Sequence, residues 1–251
     1  MTQMKQKVAL VTGASDRRDI GTGICRQLAS QGFDVFFTHW KADADWIETF
    51  KYELKQTGVK SDSMEIDLSA ANAASQVLDA VQTTIGLPSV LVNNAAHSVR
   101  DSYEELDAKL LDDHYAVNMR ATFLLSVEFA RRFKAAGLKD GRIINMTSGQ
   151  ELGPMPGELA YAATKGAITA FTKSLSAELA PVGITVNAVN PGPTDSTWMN
   201  EGIRQHLLPK FPMGRIGQPA DAAKLIGFLA SDEGGWITGQ VIHSEGGFQR
   251  G

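Results

Sequence analysis

The chain has 251 residues, 43% of them hydrophobic, and its 28 acidic against 24 basic residues give a formal charge of −4. That balance leaves no basic face for a nucleic acid, and no apolar run approaches the roughly 18 residues of a membrane helix. The opening MTQMKQK runs straight into a strand-like segment and is not a signal peptide, so a cytoplasmic protein with a small-molecule partner is expected.

No linker or shift in composition divides the chain, which predicts one α/β domain over residues 1–251. Cys25 is the only cysteine and the five histidines are scattered, so no intramolecular disulfide or thiolate cluster is possible and no metal is assigned. Within IGTGICRQLA, Cys25 is expected to be a buried, reduced thiol.

KVALVTG reads as a first strand ending at Gly13, and GTGICRQLASQG as a helix. Gly21 and Gly23 would let backbone approach a pyrophosphate held at that helix N-terminus. DVFFTHW is a second strand. The turn leaving such a strand meets the adenosine ribose, where an acid suits the free 2′-hydroxyl of NAD and basic groups suit the 2′-phosphate of NADP. The chain offers His39, Trp40 and Lys41, with no carboxylate before Asp43, and Arg17 and Arg18 of the glycine loop could reach the same phosphate. NADP(H) is therefore preferred and NAD(H) possible. The plainer reading of DRRD is a solvated loop in which Asp16 and Asp19 pair with the two arginines.

SMEIDLS closes a third strand at Asp67, SAANAASQVLDAVQTTIG is a helix, and SVLVNNAA is a fourth strand ending in Asn93 and Asn94. Amides there tie loops together or touch a ligand in the crevice, and for Asn93 the structural role is expected. The stretch LDAKLLDDHYAVNMRATFLLSVEFARRFKAAG reads as two helices, with Asn118 among apolar neighbours; a buried amide needs partners and could hold a water or a bent helix.

GRIINMTS is a fifth strand ending at Ser148. After the turn GPMPG, Tyr161 and Lys165 lie four apart on one face of the helix LAYAATKGAITAFTKSLSAEL. ITVNAVNPGPTDS is a sixth strand stopped by Pro191, Gly192 and Pro193. The loop from Asp195 to Gly217 carries Trp198, Met199, Leu207, Leu208, Phe211 and Met213, which read equally as anchors of a lid or as a subunit contact. GQPADAAKLIGFLAS is a last helix and GQVIHSEGG a last strand. The whole predicts a Rossmann-type, doubly wound parallel sheet of about seven strands with helices on both faces.

Thr12-Gly13, Asn93-Asn94-Ala95, Asn118, Ser148, Tyr161-Ala-Ala-Thr-Lys165 and Pro191-Gly192 resemble, in order and spacing, the short-chain dehydrogenase/reductase family over essentially the whole chain. The nearest likeness is to 3-oxoacyl-[acyl carrier protein] reductases and similar carbonyl reductases, through GRIGQP, FLASDE and ITGQVIHSEGG as well. The resemblance implies hydride transfer between a nicotinamide nucleotide and a carbonyl or alcohol carbon. In it Ser148 and Tyr161 stabilise the developing oxyanion, Tyr161 moves the proton, Lys165 binds the nicotinamide ribose and pulls Tyr161 toward phenolate, and Asn118 holds a relay water. It also implies nucleotide contacts from Gly13, Ser15, Asp67, Leu68, Asn94, Ala95, Pro191, Gly192 and Thr194, and a homotetramer or homodimer.

The chain departs from the family pattern in two places. Seven residues separate Gly13 from the next glycine where three are usual, and NNAG reads NNAA with Ala96. Enoyl reductases of the superfamily also have long glycine loops but typically place six residues between Tyr and Lys; three here favour carbonyl chemistry. Gln150, Glu151, Met155, Glu158 and Trp198 are the expected substrate contacts. Glu158, Gln150 and Glu151 also leave open an NAD-dependent sugar or polyol dehydrogenase. A nucleotide-sensing protein without turnover is the alternative from another class.

Overall fold

Short runs rich in Val, Ile and Phe, alternating with segments of helical apolar spacing, bury their apolar surface most fully as a sheet shielded on both faces. The computed structural model describes residues 7–250 and has this arrangement. The expected absence of a leader concerns residues that, up to Gln6, lie outside the described range. The strands are β1 (Val8–Val11), β2 (Asp34–His39), β3 (Ser61–Glu65), β4 (Val90–Asn93), β5 (Gly141–Met146), β6 (Ile184–Asn190) and β7 (Val241–His243). The helices are α1 (Ile20–Ser30), α2 (Ala44–Lys55), α3 (Ala73–Thr84), α4 (Ala108–His114), α5 (Thr122–Ala135), α6 (Leu159–Leu179), α7 (Glu201–Leu207) and α8 (Pro219–Ala230).

The strands pair in the order β3-β2-β1-β4-β5-β6-β7, every pair parallel. Successive side chains of a strand face opposite layers. Ala9 and Val11 therefore pack with Ile24, Phe50 and Ile226 of α1, α2 and α8, while Val8 and Leu10 pack with Val77, Phe129 and Leu175 of α3, α5 and α6. Each large apolar side chain so buried contributes roughly 2 kcal/mol. Cys25 is fully buried, and burial raises its thiol well above the usual range. Among the described residues no helix is long and apolar enough to cross a membrane.

Because β1 lies between β2 and β4, the winding reverses there and a crevice opens beyond the carboxyl ends of these strands. Three local differences from the sequence expectation bear on it. β3 stops at Glu65, so Asp67 lies in the turn, where its Oδ1 accepts from Ser69 N at 2.8 Å. The two expected helices, α4 and α5, are joined through a π-helical segment, Tyr115–Ala121, that contains Asn118. In the loop after β6, Met199, Phe211 and Ile216 form a small core of their own with Ile203, Leu207 and Phe248. Met199, Phe211 and Leu207 are thus anchors of that loop, whereas Trp198 and Met213 stay exposed.

Candidate active site

Turns after β1 to β4 enclose a cleft of about 610 Å³. Gly13, Ser15 and Asp19 line it from the glycine loop, His39 and Trp40 from the end of β2, Asp67 and Leu68 from the turn after β3, and Asn94, Ala95 and His97 from the turn after β4. Trp198 closes it from the loop after β6.

The first turn is shaped by close approach. Gly13 has φ of 77°, and a Cβ there would meet Ala95 Cα at 2.7 Å. A Cβ on Gly21 would overlap the Gly13 carbonyl oxygen. Asn94 holds the two strand ends together: its Nδ2 donates to the carbonyl oxygens of Thr12 and Gly13 at 2.9 and 2.8 Å, and its N donates to Thr12 Oγ1 at 3.0 Å. Asn93 takes the structural role expected of it, donating to Ser126 Oγ and Asn145 Oδ1 at 2.9 and 2.8 Å. Gly23 lets α1 pack on α8, where a Cβ would come within 3.0 Å of Pro219 Cβ.

The two arginines of the glycine loop part company. Arg17 lines a pocket beside the cleft together with Ser15, Lys41 and Thr197, whereas both Arg17 and Arg18 edge a groove on the outer side of α1. Arg18 thus faces away from the cleft, toward Asp195. Contrary to the plainer reading of DRRD, neither arginine side chain pairs with Asp16 or Asp19. Asp16 Oδ1 accepts from Arg18 N at 2.9 Å, and Asp19 Oδ2 accepts from the backbone N of Ser15 and Asp16. Lys41 sits at φ 51°, with its ammonium 5.6 Å from the centre of the Trp40 ring. Burial lowers the His39 imidazole below its ordinary pKa, and its Nδ1 is buried with no hydrogen-bond partner. The glycine cradle at Gly13 and the unpartnered His39 Nδ1 in the cleft fit a dinucleotide.

Beyond the cleft lie the polar groups of β5 and α6. Ser148 follows β5, with its Oγ 3.9 Å from Met155 Sδ. Lys165 is 2% exposed and its Nζ donates to the Met146 carbonyl oxygen at 2.8 Å, 5.4 Å from the centre of the Tyr161 ring. The expected pull of Lys165 on Tyr161 is not found among the chain's own groups. Burial pushes the Tyr161 phenol up to about 12, with Glu158 adding to the rise and a hydrogen bond from Ser148 opposing it. Burial likewise brings Lys165 down to about 8. Both groups sit where charge is poorly solvated, so desolvation is the largest cause of each shift.

Asn118 is fully buried and its amide is committed to protein. Oδ1 accepts from His97 N at 2.7 Å, and Nδ2 donates to His97 O at 2.9 Å and Thr164 Oγ1 at 3.0 Å. Its side chain therefore ties the turn after β4 to α6. Gln150, expected at the substrate, donates its amide to Thr147 Oγ1 and Thr169 Oγ1. Glu151 is exposed, and Glu158 stands half-buried at the start of α6, its carboxyl raised by burial against the opposing charge of Arg100. Thr194 is buried, its Oγ1 donating to the Gly192 carbonyl oxygen at 3.2 Å; Gly192 has φ of 64°, and a Cβ there would overlap Glu245. Pro191 leads into that turn, its carbonyl oxygen 3.4 Å from Thr194 Oγ1.

One buried carboxylate has no counterpart among the sequence expectations. Asp101 is 2% exposed and caps α6 from the turn after β4, accepting from Leu159 N at 2.5 Å and Ala160 N at 2.8 Å. It fixes the helix start immediately before Tyr161. Nothing near position 101 or 159 in the sequence announces a contact across that separation.

A family model described as Enoyl-(Acyl carrier protein) reductase matches residues 13–249. An uncharacterized oxidoreductase, YjdA, of Bacillus subtilis (strain 168) is 67% identical over 251 residues, covering 100% of both chains. The 3-oxoacyl-[acyl-carrier-protein] reductase FabG of Staphylococcus epidermidis is 34% identical over 244 residues, covering 96% of this chain and 98% of the relative. Among solved structures, a short-chain dehydrogenase/reductase from Serratia marcescens superposes with a TM-score of 0.88 at 36% identity, covering 98% of each chain.

Proposed function

Since the chain belongs to the short-chain dehydrogenase/reductase family, whose members are oxidoreductases that use nicotinamide nucleotides, we propose that it reduces a ketone, a 3-oxoacyl thioester or a similar carbonyl compound, with NADP(H). The observation that carries the reading is the convergence of Ser148, Tyr161 and Lys165, with Tyr161 holding its proton at neutral pH.

The bound dihydronicotinamide would supply the hydride. As negative charge grows on the substrate oxygen, the Tyr161 phenol delivers its proton and the Ser148 hydroxyl donates a hydrogen bond, both stronger in the transition state than before it. Lys165, anchored on Met146, holds the far side of this arrangement and would meet the nicotinamide ribose. Asn118 and Asp101 keep α6 and the turn after β4 in register. Three residues between Tyr161 and Lys165 favour a carbonyl over an enoyl substrate.

Ser15, Arg17 and Lys41 border one pocket next to the adenosine end of the cleft and support a 2′-phosphate, and with it NADP(H) over NAD(H), their two cations set against the carboxylates of Asp16, Asp19 and Asp43 in the same lining. Gly13, Asp67, Leu68, Asn94 and Ala95 would hold the rest of the nucleotide, with Thr194 at the carboxamide. The same reading takes Met155, Glu158 and Trp198 as substrate neighbours, residues 1–251 as one cytoplasmic domain, and a homodimer or homotetramer as the working form.

The test is NADPH oxidation with small ketones and with an acetoacetyl thioester, set beside NAD-dependent oxidation of polyols. Turnover of either carbonyl with NADPH supports the reading. Turnover of polyols alone, or of nothing, overturns it.

A further inference from the structure

The lengthened glycine loop and the loop after β6 meet at one side chain. Asp19, immediately before α1, uses Oδ2 to accept from Ser15 N at 3.0 Å and Asp16 N at 2.9 Å, and Oδ1 to accept from Thr197 Oγ1 at 3.0 Å. A carboxylate has lone pairs for all three donors at once, which an alanine or a backbone turn could not offer. Asp19 and Thr197 both line the nucleotide cleft and the adjoining pocket that holds Arg17 and Lys41.

The next residue, Trp198, forms a wall of the cleft, and its Nε1 donates to the Thr194 carbonyl oxygen at 2.9 Å. From Met199 onward the loop packs on its own small core. Trp198 thus stands between that core and the Thr197–Asp19 bond to the glycine loop. The lengthened loop is anchored at its start, where Ala14 is fully buried and donates to the Thr38 carbonyl oxygen at 2.9 Å and Ser15 Oγ accepts from Trp40 N at 3.1 Å, so the DRRD part is what brings a carboxylate up to the loop after β6.

We propose that Asp19 and Thr197 are positioning residues that latch the Thr197–Trp198 segment over the cleft, and that this is the role of the lengthened glycine loop. The pair touches no reacting atom. The effect on turnover rests on the reductase reading above, while the effect on the loop does not.

The experiment compares Thr197→Val, which removes the hydroxyl, with Thr197→Ser, which keeps it, and with Asp19→Ala and the Asp19→Ala/Thr197→Val pair. Two quantities are read: KM and kcat for a ketone with NADPH, and the rate of tryptic cleavage at Arg204, Lys210 and Arg215 with and without NADPH. Thr197→Val is expected to raise the ketone KM and the cleavage rate about tenfold, the loss of one hydrogen bond to a carboxylate, with kcat within about twofold. Thr197→Ser is expected to restore both quantities, and the pair to be no worse than Asp19→Ala. Equal cleavage rates for the Val and Ser variants, or single effects that multiply in the pair, would overturn the latch. If Asp19→Ala fails to fold, the Val and Ser comparison decides alone. If the wild type turns over no carbonyl, the reductase reading fails and the cleavage rates still decide the latch.

Discussion

Lys165 Nζ, on α6, donates to the carbonyl oxygen of Met146, the last residue of β5, at 2.8 Å. One bond therefore joins the helix that carries Tyr161 to the strand that leads to Ser148, and it places an amine in a buried site. For an amine brought down to about 8 by burial, the unfolded chain binds more protons than the folded one between that value and the ordinary 10.5.

The folded state should therefore gain stability as pH rises through that window. Compared with Lys165→Met, the wild type is expected to gain on the order of 2 kcal/mol between about pH 7.5 and pH 10, whichever variant is the more stable at neutral pH. Urea unfolding of both proteins at the two pH values checks this.

Tyr161→Phe keeps the ring and removes the proton donor. Turnover is expected to fall by at least about 10³, within the range for a lost general acid, while NADPH binding changes by no more than a few-fold. NADPH oxidation and fluorescence titration of the nucleotide measure the two effects separately; undiminished turnover would contradict the role given to Tyr161.

Arg17→Ala combined with Lys41→Ala should weaken NADPH about tenfold or more relative to NADH, as expected for a phosphate losing two cationic partners. Arg18→Ala, whose side chain edges the outer groove, should leave the ratio within about twofold. The kcat/KM ratio for the two nucleotides is the measurement, and an equal effect of Arg18→Ala would contradict the placement of the 2′-phosphate.

Asp101→Ala leaves Leu159 N and Ala160 N without their acceptor. A loss of about 2 kcal/mol is expected, at the upper end for a helix cap because the carboxylate is buried. Asp101→Asn, which keeps one acceptor oxygen, should lose less. Urea midpoints give the stabilities, and a parallel drop in kcat would follow from the shifted start of α6.

The sheet is legible in the sequence because each buried strand is a short run with β-branched or aromatic residues and each covering helix has its own apolar stripe. Ser148, Tyr161 and Lys165 are legible because a strand end and one helical turn fix their spacing. What lies beyond reach depends on chain direction in three dimensions. Asp101 caps a helix 58 residues away, Arg17 and Arg18 are adjacent yet only Arg17 also borders the pocket beside the cleft, and Gly23 makes room for the contact with α8. The proton affinity of Tyr161 runs against the expectation from spacing, because spacing reports proximity and says nothing of the burial that outweighs it. Asp19 carries a local signal, an acid directly before a helix, which its neighbouring arginines mask by offering it nearer partners.

The π-helical segment Tyr115–Ala121 has a further consequence for how this chain tolerates change in length. A π turn holds one residue more than an α turn in nearly the same rise, so removing one residue there should let α4 and α5 merge into a regular helix with Leu125, Phe129 and Phe133 still facing the sheet. Such a deletion is expected to preserve the far-ultraviolet circular dichroism and abolish turnover, since Asn118 would leave His97 and Thr164. The extra residue that the site needs is the one the scaffold could lose.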